Sequence, residues 1–409
     1  GWSVLFHYLC FIWIQDYTLF FILELLTNER QYHMIIHYLT YCSNESDANL
    51  DVSPAAQQKS SYLTRLIDLT GENYRIINLA ESNKKIGLNH KIEKEVGERG
   101  TYVRWMTFGK PCRLFSKIHY YFRKVQLERY LNKLDCTDVV IAYHSLSTCD
   151  IYTKTSHKRR FKFILELEEV YQDVVSCGKY KAVLEKKCIA SADGYILATE
   201  SLAKQIPEGK PYIVINGTYR SEWPRNVSFG DNKIHCIYAG TFDPTKGGAA
   251  AAAAAAEFLP ENYHVHILGF GTEEQKKQLQ ELIALVQERT KCTLTYDGLK
   301  SGEEYIQFLQ KCHIGLCTQI PDAKYTETSF PSKVLVYLAN GLRVLSVRIP
   351  AVEQSDIGDL LFYYDEQKPE KIAEAIQSID MNLPYDGRER LEMLDIKATK
   401  DIQELLKEI

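Results

Sequence analysis

From Met34 onward the chain repeats one unit, a short run of β-branched and aromatic residues followed by a longer stretch with amphipathic spacing. Runs at 35–41, 74–79, 102–107, 139–143, 163–167, 194–198 and 212–215 read as strands, with helices over 60–70, 113–134 and 171–190 between them. Strands alternating with helices admit few architectures, chiefly a parallel sheet covered on both faces. The pattern stops at Asn216-Gly217, and 217–233 carries turn residues without periodicity, as a linker does. It restarts with strands at 234–239, 265–268, 294–296, 314–318, 344–347 and 361–364. Helices are predicted over 249–258, 273–289, 303–311, 332–339 and 370–378. The predicted fold class is α/β: two Rossmann-like, doubly wound domains, 34–216 and 234–384, facing across a cleft. A charged amphipathic helix over 388–406, within a last segment 385–409, is expected to cross back over the seam. Ligands of such sheets bind at the carboxyl ends of the strands.

Two places in the second half suit an anion. Strand 234–239 runs into Gly240-Thr241-Phe242-Asp243-Pro244-Thr245, and Lys246-Gly247-Gly248 opens an alanine run. Further on, Phe330-Pro331-Ser332-Lys333 opens a helix ending at Asn340-Gly341. Each offers backbone N–H groups and a cation at the positive end of a helix. Two such starts in one half point to a diphosphate. The bland reading of Lys246 is an exposed lysine at a helix start.

The rest of the chain mostly narrows the alternatives. At 409 residues, two cores are the default. A net charge of −4 gives no reason to expect nucleic acid as a partner. The basic run Lys154 to Lys162 reads as a solvated face, or as contact with an anionic acceptor or a membrane surface. Eleven cysteines without a C-x-x-C pair read as reduced, buried thiols, and no matching set of zinc ligands accompanies Cys312 and Cys317. Residues 4–26 are long and apolar enough to span a bilayer but include His7, Gln15, Asp16 and Glu24. Residues 1–33 therefore read as an upstream extension, an artefact or a membrane-associating helix.

Gly240-Thr-Phe-Asp-Pro-Thr-Lys246-Gly247, Leu268-Gly269-Phe270-Gly271 and Phe330-Pro-Ser-Lys333 through Gly341 together resemble the nucleotide-sugar half of GT-B retaining glycosyltransferases, of the family 4-like type that builds bacterial surface polysaccharides. In the first half, Leu165 to Tyr171, Glu185 and Val214-Ile-Asn-Gly217 are similar to the same group. The resemblance implies transfer of a hexose from a nucleotide-diphosphate sugar to a glycan or lipid-linked acceptor, with retention, and no cofactor beyond the donor. It implies a cytoplasmic protein, with peripheral contact at the cytoplasmic face of the inner membrane. Gly240, Lys246, Gly247, Gly248, Gly269, Ser332 and Lys333 would hold the diphosphate, by amide dipoles and ammonium groups and without a metal. His144, at the end of strand 139–143, and Glu327 would serve at the transferred sugar. Glu168 and Glu169 would flank the cleft, and the polar loop 43–54 would line the acceptor site.

The chain departs from that pattern. Thr241 stands where an arginine is common. Val336 replaces the carboxylate that would hold the ribose hydroxyls, and the glutamate expected eight residues before it falls on Thr328, with Glu327 adjacent. A GT-B-like protein without activity is the competing reading, best supported by Val336. A nicotinamide oxidoreductase fails because Glu274 stands where a third glycine is needed. A sugar-nucleotide epimerase shares the expected architecture.

Overall fold

The computed structural model describes residues 34–43, 50–52, 54–156, 161–171, 178–321 and 328–409. Residues 1–33, most of the loop 44–53, part of the basic run and Glu327 lie outside the described residues.

Eight strands form the first sheet: β1 (Ile35–Thr40), β2 (Asn73–Asn78), β3 (Ile92–Val96), β4 (Gly100–Arg104), β5 (Val139–Tyr143), β6 (Lys162–Leu167), β7 (Gly194–Leu197) and β8 (Tyr212–Val214). Their spatial order is β8-β7-β6-β5-β1-β2-β4-β3. All pairings are parallel except the hairpin of β3 with β4. Helices α1 (Pro54–Asp68), α2 (Arg113–Leu131), α3 (Cys149–Ser156) and α4 (Lys179–Ala190) make or accompany the crossovers. The central strands are largely apolar, as strands covered on both faces are; Ile36, Leu39, Val140, Ile141, Ile164 and Leu165 are fully buried.

The second sheet contains β9 (Ile234–Thr241), β10 (Tyr263–Phe270), β11 (Thr293–Gly298), β12 (Ile314–Cys317), β13 (Arg343–Val347) and β14 (Phe362–Tyr364). Its order is β11-β10-β9-β12-β13-β14, parallel throughout. Helices α5 (Gly248–Ala255), α6 (Glu273–Gln287), α7 (Gly302–Lys311), α8 (Lys333–Ala339) and α9 (Pro369–Ser378) connect the strands, and α10 (Arg388–Glu408) ends the chain. The alanines of α5 allow close approach, and Ala252, Ala253 and Ala255 are completely buried.

Among the parallel strands, each sheet reverses its chain order once, between β1 and β5 and between β9 and β12. Those reversals open crevices at the carboxyl ends of β1, β5, β9 and β12, where doubly wound sheets take ligands. His144 follows β5, and the turn 242–247 follows β9.

Helix α10 ties the halves together. Asp395 accepts both guanidinium nitrogens of Arg65 at 2.8 Å and the hydroxyl of Tyr62 at 2.8 Å, both from α1. Gly194 on β7 leaves space for the end of this helix, because a Cβ there would lie 2.9 Å from Ile409. Arg388, at its start, donates to the carbonyls of Asn340 and Glu222, closing the end of α8.

Sequence reading placed most elements within a few residues. It missed β3, whose sequence Ile-Glu-Lys-Glu-Val has three exposed central residues. An edge strand with charged side chains carries no apolar run to detect. It also missed α3, reading 154–162 only as a charge run.

Candidate functional site

The turn after β9 is built tightly. Asp243 accepts from the backbone and hydroxyl of Thr245 through its side chain, and its carbonyl accepts the N–H groups of both Lys246 (3.1 Å) and Gly247 (3.2 Å). The Gly247 amide, expected to approach the phosphate, is thus closed within the turn along with that of Lys246. Among the described residues, those of Gly248 and Ala249 at the start of α5 have no acceptor. Gly247 has φ +66°, and a Cβ there would sit 2.8 Å from Ile320. Ile320 in turn donates its N–H to the Lys246 carbonyl at 3.1 Å, fastening the turn to the end of β12.

Gly240 and Gly269 form the floor beside this turn. They are register partners on β9 and β10. A Cβ on Gly269, at φ +144°, would lie 1.7 Å from the Gly240 carbonyl oxygen, so only glycine allows this approach. Lys333, the first residue of α8, reaches the same floor. Its Nζ lies 4.0 Å from the centre of the Tyr238 ring and 3.0 Å from where a Gly240 Cβ would stand. Gly248 packs on the other part of that ring, a Cβ there falling 2.8 Å from Tyr238 Cε2. The ring is fixed by its hydroxyl, which donates to the Thr241 carbonyl at 2.9 Å. Gly240, Gly248, Gly269 and Lys333 therefore converge on one surface. Ser332 is exposed just before α8, and its side chain makes no capping bond.

Lys246 is exposed. Burial, then Glu168, pushes the Glu169 carboxyl above its usual range, while Lys246 and His144 pull it back. This places Glu169, Lys246 and His144 within one electrostatic neighbourhood. Glu168 itself lies 3.0 Å from Lys59 Nζ, whose other contact is the Ile215 carbonyl at 2.6 Å.

His144 differs from its expected setting. It is 1% exposed, with Nε2 3.5 Å from the fully buried Glu185 and its ring 5.2 Å from that of Tyr171. A hydrogen bond with Cys188, and another with His144, holds the Cys149 thiol down at about 6 against the opposing push of burial. The imidazole is thus enclosed by α3, α4 and Tyr171. Thr328 is 6% exposed, and its carbonyl accepts from Thr199 of the first half at 3.3 Å. Val336 is half-buried and packs on the core.

Sequence reading missed Glu166, which lies under this seam at 0% exposure and accepts from Tyr38 at 2.9 Å. Burial, then Glu168, pushes its carboxyl up to about 8 from an ordinary 4.5. Between those values the folded chain holds a proton that the unfolded chain has released, so stability should fall as pH rises from 4.5 through 8. Glu166→Gln is expected to remove most of that decline. Denaturant midpoints at pH 5 and 8.5 should show wild type losing on the order of a few kcal/mol more than the variant. Equal losses would mean that another group governs the slope.

Comparison with protein-family profiles and with curated protein sequences finds no match. Solved structures do match. Sucrose-phosphate synthase from Thermosynechococcus elongatus superposes with a TM-score of 0.65 at 14% identity, covering 91% of this chain and 98% of that one. HepE from Anabaena, in complex with UDP and glucose, gives 0.63 at 12% identity over 92% and 100%. The α,α-trehalose 6-phosphate synthase from Burkholderia multivorans gives 0.62 at 10% identity over 91% and 96%. These likenesses establish the fold: two Rossmann-like sheets in the GT-B arrangement.

Proposed function

We propose that this chain is a glycosyltransferase that takes a hexose from a nucleotide-diphosphate sugar and passes it to a glycan or lipid-linked acceptor. The observation that carries this reading is the Lys333 ammonium, held over Tyr238 beside a floor of glycines at the carboxyl ends of β9 and β10. A departing diphosphate needs fixed positive charge where its own charge develops. Lys333, the amides of Gly248 and Ala249, and Lys246 from the cleft side supply it in this reading. The complex of HepE with UDP and glucose supports a donor of this class in a fold of this kind. Retention would follow a front-face displacement, in which the leaving phosphate assists the incoming hydroxyl. The acceptor would enter from the first half, past Glu169. His144, closed off by Glu185, would act there as a positioning group.

Val336 favours a second reading, a donor-binding protein without transfer. No helix among the described residues is long and apolar enough to cross a membrane, and contact of the basic segment with a membrane surface remains part of the proposal. The deciding experiment offers UDP-, GDP-, ADP- and dTDP-sugars to the full chain, following binding by calorimetry and nucleotide release with oligosaccharide acceptors. One nucleotide class should bind, with release that depends on acceptor. Binding without release would select the second reading, and binding of no donor would remove both. Val336→Glu should tighten the donor that binds, by roughly tenfold or more if a ribose contact is restored.

A further inference from the structure

A cluster of histidines lies at the opposite end of the second sheet from the site above. His235 stands near the start of β9, and His264 and His266 stand near the start of β10. Residues i and i+2 of a strand point to one face, and His235 is the register partner of His264. Three imidazoles therefore share a face, each offering a ligand nitrogen, with those atoms all within 4.8 Å of one another.

Their other hydrogen bonds show which nitrogens are available. His235 Nε2 is 2.8 Å from an Asp231 carboxylate oxygen, and His266 Nδ1 is 3.0 Å from one of Asp297. A carboxylate only accepts, so each of those nitrogens carries a proton and donates it. A neutral imidazole then has a lone pair at its other nitrogen. Those two nitrogens, His235 Nδ1 and His266 Nε2, face each other at 2.9 Å. Two lone pairs at that separation repel unless an electrophile lies between them, and only a proton or a metal cation can fill the place.

We propose that His235, His264 and His266 bind a divalent transition-metal ion of the zinc class. Imidazole nitrogen is the ligand type such ions take, and carboxylates behind ligating histidines fix the tautomer and raise ligand basicity. Asp231 and Asp297 stand in that position. Their two negative charges balance an ion of charge two, and the third imidazole, His264, stacks on His266 with ring centres 3.8 Å apart, so its ring must swing to join the other two on an ion. Thr295 gives its hydroxyl proton to Asp297 at 2.7 Å and so accepts from His264 Nε2 at 3.0 Å, which leaves a lone pair at His264 Nδ1. Zinc–nitrogen bonds of about 2.0–2.1 Å in a tetrahedron separate ligand nitrogens by about 3.4 Å, so the pair need open by only about 0.5 Å. Phe229 stacks on His235 and His266, with ring centres 4.2 and 4.8 Å away, and keeps water off that side. Phe229 and Asp231 belong to the segment entering β9, so the ion would pin that connection to the sheet. The site stands apart from the proposed donor site, since five residues of strand, about 17 Å, separate His235 from Gly240.

The test uses the full chain stripped with a chelator and titrated with Co²⁺, whose visible spectrum reports its ligands, and then with Zn²⁺. The expected result is one Co²⁺ per chain with tetrahedral d–d absorption, no thiolate charge-transfer band, and displacement by Zn²⁺. His264→Gln, at a half-buried position, and Asp297→Asn should each bind 10- to 100-fold more weakly. The wild-type titration decides the matter alone if a variant fails to fold. No uptake at one equivalent would leave a proton between the two rings and overturn the site. A thiolate band, or unchanged affinity in folded His264→Gln, would place the ion elsewhere and overturn it equally.

Discussion

Lys333→Met is expected to weaken binding of the free nucleoside diphosphate by roughly 10- to 100-fold. A hydrogen bond to a charged group contributes about 1.5–3 kcal/mol, and each 1.4 kcal/mol is about tenfold in affinity. Methionine keeps an unbranched chain over the Tyr238 ring while removing the charge, so packing against that ring is largely conserved. Calorimetry at two salt concentrations checks this, because loss of an ammonium contact should also flatten the salt dependence. A variant with unchanged affinity and unchanged salt response would detach Lys333 from the diphosphate, and with it the observation on which the proposed activity rests. Lys246 is exposed and acts on Glu169 electrostatically, so its removal should cost less.

Gly269→Ala should be the most damaging single methyl addition among the glycines described. The new Cβ would fall 1.7 Å from the Gly240 carbonyl oxygen and 3.0 Å from the Phe242 ring, on a backbone at φ +144°. Holding a residue other than glycine in that region costs about 1–3 kcal/mol, and overpacking adds about 1–3 kcal/mol. A loss of about 3–5 kcal/mol is therefore expected, read as a lower denaturant midpoint with an unchanged slope. Gly178→Ala, where nothing lies within 4 Å of the new Cβ, provides the control and should move stability by less than about 1 kcal/mol. If the two variants proved equally stable, strands β9 and β10 would not need their close approach. The floor beneath Lys333 would then have some other origin.

Much of this architecture could be read along the chain. Thirteen of the strands in the two sheets announce themselves as short apolar runs, and the amphipathic spacing of α6, α7, α9 and α10 is equally plain. Gly269 was singled out only through the family resemblance, and its close approach to the Gly240 carbonyl, which excludes any other residue, came from the structure. Less was legible about which way side chains face. His144 was expected at the cleft, but α3 and α4 close over it with Glu185, Cys149 and Cys188. The backbone of Gly247 was expected to approach the phosphate, but the Asp243 carbonyl takes its N–H. Glu327 lies outside the described residues and stays a proposal. The histidine cluster escaped notice because His235 on β9 lies 29 and 31 residues before His264 and His266 on β10.

Sequence alone determined the alternation of strand and helix, its interruption at 217–233 and the two glycine-rich turns. These depend on hydrophobic period and on backbone conformation, which act within a few neighbouring residues. Only the tertiary structure decided that Lys333 lies on Tyr238, that Asp395 meets Arg65, and that His235 meets His266. Such meetings depend on strand order and register across the sheet. Each is fixed by burial and hydrogen bonding between segments that share no local pattern.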